Sequence, residues 1–392
     1  MSIQLPIYLD YHATTPIDKR VLDAMLPFFT EHFGNAASLQ HRFGWIAKEA
    51  IDGSRQTIAN IINAQPREII FTSGATESNN LSIKGVCDAL KWKGNHIVTT
   101  AIEHASVIDV CRVMQLQGFD VTVVPVDATG RVDAENIRRA ITEKTILVSV
   151  MMANNEIGTI QPAKEIAKMC AERDLLFHTD ATQCVGKLPV DVLAMNIHLM
   201  SFTAHKLYGP KGVGALYIRS KNPRVKLTAQ MDGGGQENGM RSGTMNVPSI
   251  VGFGKALEIA NNEMSEDANR ISVLRDYLQT KIELLGDVKI NGNHSNRLYN
   301  NLNVTIQGVS AEMLTTSLGD VAISSGAACA TQERTSYHGS HILQAIGCSK
   351  EDARSTVRFG LGRFTTKEEI DYVVEKLNNV VPELRTQSLY LA

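Results

Sequence analysis

The chain reads as an α/β protein: a large domain with a mostly parallel central sheet, followed by a smaller α+β domain. Three observations predict this. Between about residues 67 and 220, short β-rich runs alternate with helical stretches. Several of those runs are apolar throughout, as strands are when helices cover both faces of a sheet. At 392 residues the chain also exceeds one ordinary core.

The first strand is REIIFT, which leads through Gly74 into the helical pattern TESNNLSIKGVCDALKWK. HIVTT precedes the helix ASVIDVCRVMQLQG, and DVTVVPV and TILVSVM are the next strands. PAKEIAKMCAERD is helical, and DLLFHT, IHLMSF and GALYIR complete the set. The strand runs are rich in β-branched residues, and the helices place apolar residues at helical spacing. After Pro248 a long helical pattern, SIVGFGKALEIANNEMSEDANRISVLRDYLQTKIELLG, links the first domain to a second. There NNLNVTI, DVAISS and STVRFGLG are strands between helices. The N-terminal dozen residues carry their own apolar run and are placed on the second domain. The resulting division is 14–262 for the large domain, and 1–13 with 263–392 for the small one.

A net charge of −2 gives no electrostatic reason to expect nucleic acid or an anionic membrane as the main ligand. No apolar run approaches the roughly 18 residues that a membrane span needs. The N-terminus, MSIQLPIYLDYHATTP, resembles no signal or transit peptide. The six cysteines form no CxxC pair and no regular spacing, which argues for reduced thiols and against a disulfide framework or a metal site. A cytoplasmic location is expected.

Chemistry centres on Lys206, just past the apolar run from Ile197 to Phe202 and just before a Gly-rich turn. A second run, DLLFHTDATQ, delivers Asp180 from another strand end. Ligands of such sheets bind beyond the carboxyl ends of the strands. A lysine and an acid placed there match what pyridoxal phosphate (PLP) requires: a Schiff-base lysine, and an acid that keeps the pyridine nitrogen protonated. The alternative is a surface lysine and a helix-capping aspartate. In IIFTSGATESNN, Gly74, Ala75 and Thr76 sit where a strand turns into a helix, so backbone N–H groups and a hydroxyl can converge on a phosphate. An ordinary N-cap would use the same letters. GPKGVG lacks the spacing of a P-loop and reads as a turn behind Lys206.

His104, in AIEHAS, could stack on a pyridine ring or move protons at a substrate carbon, or it could simply pack or cap a helix. Asn155 and Gln183 are uncharged hydrogen-bonders placed to reach the cofactor's hydroxyl oxygen. Cys329 lies in SSGAACATQERTSYHGSHIL among small residues, on a loop of about 324–341 without clear periodicity. A thiol so placed can act as a nucleophile, or be an incidental surface thiol. Cys87, Cys111, Cys170 and Cys184 sit in apolar patterns that suit core packing. Arg358, in STVRFGLGR, can hold a carboxylate in bidentate fashion or serve a structural ion pair.

Taken in order, YLDYHATTP, FTSGATESNN, the EH of EHAS, NNEIG, HTDATQCVGK, AHKLYGPKGVGALY, GMRSGTMNVP, SSGAAC and VRFGLGRFTT resemble the cysteine desulfurases of the NifS/IscS class. These are class-V aminotransferase-family enzymes of PLP-dependent fold type I, the aspartate-aminotransferase-like fold. The matching stretches span positions 8 to 366. The resemblance implies that Lys206 binds PLP, Asp180 pairs with the pyridine nitrogen, His104 stacks on the ring and serves the chemistry, and Asn155 and Gln183 contact the ring hydroxyl. Ala75, Thr76, Thr203 and His205 would hold the phosphate, with Thr244 reaching it from the other subunit of a homodimer. Arg358, with Asn155, would bind the substrate carboxylate.

The implied reaction takes L-cysteine to L-alanine and leaves the sulfur on Cys329 as a persulfide. A sulfur-acceptor protein, an iron–sulfur scaffold or a sulfurtransferase, would then receive it, and no direct nucleic-acid or membrane partner is implied. Thr203 stands where the family usually has Ser, which keeps the hydroxyl and stiffens the rotamer. SSGAAC replaces the commoner SSGSAC, the segment after Cys329 is a few residues longer, and the end at SLYLA is shorter than tails that dock an iron–sulfur scaffold. Two other readings keep the fold: a cyst(e)ine or selenocysteine lyase releasing sulfide or selenide directly, and a non-catalytic sulfur-relay subunit.

Overall fold

The computed structural model describes residues 3–325 and 340–391, with side chains as far as Gln387 in the final helix. Cys329 and most of its loop lie outside the described residues. The strands among the described residues are β1 (Ile7–Tyr8), β2 (Ile69–Thr72), β3 (His96–Thr100), β4 (Asp120–Val124), β5 (Thr145–Ser149), β6 (Leu176–Asp180) and β7 (Leu199–Thr203). They continue with β8 (Gly214–Ile218), β9 (Val288–Asn291), β10 (Asn301–Ile306), β11 (Val321–Ala322), β12 (Ser324–Ser325) and β13 (Thr356–Gly360).

β2 to β8 form one seven-stranded sheet in the order β2-β8-β7-β6-β5-β3-β4. Only β8 opposes its neighbours, pairing antiparallel with β2 and β7. The remaining pairings are parallel, as the apolar runs predict. β3, β5 and β7 are buried along their whole length, whereas the edge strand β4 leaves Val123 exposed. The helices Ala75–Leu90 and Ala105–Leu116 each follow directly from a strand of this sheet.

A second, antiparallel sheet runs in the order β12-β13-β10-β9. The run DVAISS is not one strand. It breaks at Ile323 because its two halves have different partners: β11 pairs parallel with β1, and β12 pairs antiparallel with β13. The N-terminal run IYL is drawn here by burial. Ile7 and Leu9 share an apolar cluster with Leu302, Val357 and Phe359, and the Gly360 amide donates to the Leu9 carbonyl at 2.7 Å.

The helix Val247–Glu283 joins two of the apolar clusters. Its first half buries Phe253 and Leu257 with the core of the large sheet, and its second half buries Ile271 and Leu278 with the core of the small one. No helix among the described residues is long and apolar enough to cross a membrane.

Candidate active site

A cavity of about 540 Å³ opens at the carboxyl ends of the parallel strands and is closed on one side by β13. It brings together Ala75, Thr76, His104, Asn155, Asp180, Gln183, Thr203, His205, Lys206 and Arg358. Two of the residues singled out from sequence are not among its lining: Thr244 is exposed outside it, and Cys329 lies outside the described residues.

Lys206 ends the short turn Ala204–Lys206 after β7, and its Nζ donates to the carbonyls of His12 at 2.6 Å and Ala13 at 2.5 Å. Asp180, the last residue of β6, is 5 % exposed. Its carboxylate accepts from the Thr182 amide at 2.9 Å and from the side-chain amide of Asn79 at 2.8 Å. The same Asn79 nitrogen donates to Ser106 Oγ at 2.8 Å, and that hydroxyl lies 2.8 Å from His104 Nδ1. With Asn79 donating, the Ser106 hydroxyl hydrogen is free to go to His104.

His104 does cap a helix, that of Ala105–Leu116: its Nδ1 accepts from the Ser106 amide at 3.1 Å. Capping and lining the cavity are compatible, because the cap uses Nδ1 and leaves Nε2 to carry the proton of the neutral ring. Burial lowers the imidazole's pKa, with Lys206 acting in the same direction and Asp180 against it.

At the turn after β2, Gly74 caps the helix Ala75–Leu90, whose first turn carries Thr76. The backbone is packed closely here. A Cβ on Gly214 would sit 2.7 Å from the Gly74 Cα. Glu77 accepts from the Ser73 amide at 2.7 Å and pairs with Arg241 at 2.8 Å, so the Gly-rich segment before Thr244 braces the site of its own chain. The Thr203 hydroxyl donates to the Val213 carbonyl at 3.0 Å, and His205 Nδ1 lies 3.1 Å from Thr14 Oγ1. Burial, followed by Lys206, Lys211 and Lys187, takes the His205 pKa down to about 4.

Arg358 is 4 % exposed; one terminal nitrogen meets Asp10 at 2.6 Å and the other donates to the Asn155 carbonyl at 2.9 Å. Four buried polar atoms of this region have no partner among the described residues: Asn155 Oδ1, Thr182 Oγ1, Asn79 Oδ1 and Arg358 Nε. Buried polar groups are rarely left unpaired in folded proteins, so a cavity with several of them is suited to a polar ligand.

Several contributors carry no obvious mark in the sequence. His12 lies in YLDYHATTP, which reads as an apolar run with a turn, yet its carbonyl receives Lys206 and its ring touches Gln183 at 3.2 Å. Asn79 is four residues past Ala75, one helical turn into the helix, and that spacing is the one signal for it. Glu103 is buried beside His104, accepting from Thr100 Oγ1 at 2.6 Å and the Met151 amide at 2.9 Å, and burial drives its pKa up to about 8. Cys87, Cys111, Cys170 and Cys184 are buried, and burial raises each thiol's pKa.

Comparison with known proteins sets this geometry among relatives. The class-V aminotransferase family matches residues 7–373. A protein of Anaeromyxobacter sp. (strain Fw109-5) named cysteine desulfurase IscS is 50% identical, covering 98% of this chain and 95% of its own. A solved NifS-like protein superposes with a TM-score of 0.89 at 36% identity, covering 96% of this chain and 99% of its own. A structure described as SspA in complex with cysteine gives a TM-score of 0.80 at 37% identity, covering 92% of this chain and 100% of its own.

Proposed function

The chain belongs to the class-V aminotransferase family, and on that premise we infer that it is a PLP-dependent cysteine desulfurase of fold type I, converting L-cysteine to L-alanine with transfer of the sulfur to Cys329. One observation carries the reading: Lys206, Asp180, His104 and Arg358 converge on a single cavity at the sheet's carboxyl edge. The half-identical relative named a cysteine desulfurase supports the same activity.

The residues present fit PLP. A lysine and a carboxylate already held by two donors stand in one cavity, with unpartnered polar atoms from Asn155 and Thr182. Lys206 would hold the cofactor and Asp180 its pyridine nitrogen. Ala75, Thr76, Thr203 and His205 would hold its phosphate, and Asn155 and Gln183 its hydroxyl oxygen. When bound, PLP supplies an electron sink for the bonds to the substrate's Cα.

The rest is the work of side chains. Arg358 would orient L-cysteine by its carboxylate, with Asn155 beside it, and its Nε, without a partner among the described residues, is a donor for that purpose. His104 would stack on the ring, with Nδ1 committed to Ser106 so that Nε2 is the exchangeable nitrogen. The carbon–sulfur bond of the substrate breaks as the Cys329 thiolate bonds to the departing sulfur. A persulfide remains on Cys329, and protonation of the carbon that lost sulfur completes alanine.

The same proposal includes a homodimer in which Thr244 serves the partner's site. It is supported by the exposure of Leu26, Phe29, Phe33, Phe43 and Trp45 within one stretch of chain, since monomers rarely expose so many large apolar residues together. It also includes an iron–sulfur scaffold or sulfurtransferase as acceptor, and a cytoplasmic location, supported by five buried free cysteines. The division into 14–262 and 1–13 with 263–392 belongs to it as well, supported by the separate apolar clusters under the large and small sheets.

The test is a single-turnover reaction of PLP-loaded protein with L-cysteine and no reductant, followed by intact-mass analysis. A gain of one sulfur mapping to Cys329, with one alanine released, is expected. Free sulfide with no gain of mass would move the chain to the lyases.

A further inference from the structure

Behind Gln183 lies a group that this chemistry does not use. Lys187 is 6 % exposed, and its Nζ lies 3.1 Å from Gln183 Oε1. It meets no carboxylate among the described residues; burial, followed by the charge of Lys206, takes its pKa down to about 7, with the Cys184 thiol as its other neighbour. A buried ammonium without a counter-charge is costly. Its presence near enough to the site lysine to feel that charge therefore asks for a use.

The hydrogen bonds indicate one. While Lys187 is protonated it only donates, so Gln183 turns its carbonyl oxygen toward it. Its amide nitrogen is thereby fixed on the other side, donating to the His12 carbonyl at 3.2 Å, the carbonyl that also receives Lys206 Nζ at 2.6 Å.

The His12 ring, unlike its carbonyl, favours the opposite orientation. Its Nε2 faces the Asn300 carbonyl at 3.2 Å, so a neutral ring keeps its proton there and leaves Nδ1 as an acceptor, 3.2 Å from the Gln183 Oε1, itself an acceptor. Burial, with Arg358, Lys187 and Lys206 as the nearby charges, disfavours the doubly protonated ring. A flipped amide would satisfy His12 but would turn its nitrogen onto Lys187 and its oxygen onto a carbonyl.

We propose that Lys187 is a positioning residue: its ammonium sets the polarity of the Gln183 amide, so that N–H and not C=O faces the His12 carbonyl that also receives Lys206, and its charge favours the neutral form of the site lysine. This rests on the PLP reading above, in which the ring hydroxyl oxygen would accept from that N–H and be repelled by a carbonyl. His12 and Gln183 transmit the effect.

The experiment compares wild type, Lys187→Met and Lys187→Gln. Apoprotein is titrated with PLP, the visible absorption of each loaded protein is followed against pH, and thermal unfolding is recorded alongside. Lys187→Met is expected to weaken PLP binding about tenfold and to raise the absorption midpoint by roughly one pH unit, because loss of a nearby cation eases protonation. Lys187→Gln restores a donor without the charge. It is expected to recover most of the affinity while keeping the raised midpoint, and it carries the test if Lys187→Met does not fold. Wild-type affinity and midpoint in Lys187→Gln, or in a folded Lys187→Met, overturn the proposal. A wild-type protein that develops no visible absorption with PLP overturns the cofactor reading itself, and this inference falls with it.

Discussion

The guanidinium of Arg358 and the carboxylate of Asp10 lie 2.6 Å apart, joining β13 to the segment just after β1. The side chains are 5 % and 19 % exposed, so the pair is screened from water. The contact gives the N-terminal segment a part in the site. It supplies the counter-charge for the arginine proposed to bind substrate, while its own backbone carbonyls at His12 and Ala13 receive Lys206. An ion pair and a carboxylate clamp, the two roles open to Arg358 from its sequence, are then not alternatives. One nitrogen serves Asp10, and Nε has no partner among the described residues.

Removing the partner of a buried ion pair leaves an uncompensated charge, which typically costs about 3–5 kcal/mol. Asp10→Ala is therefore expected to lower unfolding stability by about 2–4 kcal/mol in urea, given the partial exposure of Asp10. Asp10→Asn, which keeps an acceptor for Arg358, should lose about half of that or less. Equal losses in the two variants would show that the charge is not what matters.

Under the desulfurase reading, Arg358→Lys keeps the charge but gives up the planar fork. The expected outcome is a KM for L-cysteine raised about tenfold or more, with a smaller change in kcat, because a bidentate contact is made in both ground and transition states. Steady-state alanine formation across L-cysteine concentration measures both terms. A loss confined to kcat would place Arg358 elsewhere in the chemistry.

Much of this could be read before folding was known, and the reasons are physical. The apolar, β-branched runs around Ile70, Val98, Val148, Phe177 and Met200 admit few conformations other than buried strands. Once they are parallel strands, Asp180 and Lys206 must stand at the ligand-binding edge. His12, Asn79 and Lys187 were not legible, because their roles depend on contacts across the fold: 194 residues separate Lys206 from His12, and 101 separate Asn79 from Asp180. The break in DVAISS was hidden for a similar reason, since only the choice of partner strand decides it. Lys187 in VGKLP looks like any exposed lysine until its burial is seen.

Gly158, in the NNEIG stretch beside Asn155, has φ +73 and would place a Cβ 2.6 Å from the Asn301 side chain. Both the backbone conformation and the close approach exclude a larger residue. Gly158→Ala is expected to cost about 1–3 kcal/mol, read as a lowered unfolding midpoint. Asn301 and Asn303 both donate to the carbonyl of Glu156 nearby, so the displacement should also reach the Asn155–Arg358 contact. A fall in stability without any change in the KM for L-cysteine would show that the strain stops short of the site.

Glu103 offers a pH dependence with a definite sign. Burial is the largest influence on its carboxyl and raises the pKa from 4.5 to about 8, against the hydrogen bonds from Thr100 and the Met151 amide and together with the Asp180 charge. A raised folded-state value means that the native protein binds this proton more tightly than the unfolded chain does. Its contribution to stability is therefore fully present below the unfolded value, declines as pH rises between 4.5 and about 8, and is lost above that. Glu103→Gln removes the titration and keeps an acceptor for Thr100 and Met151. The variant should match wild type at about pH 5 and exceed it by on the order of a few kcal/mol near pH 9. Thermal or guanidinium unfolding of both proteins across that range gives the difference directly, since every other titrating group is common to the two. Parallel curves would mean that Glu103 titrates alike in the folded and the unfolded chain, with its two donors offsetting burial.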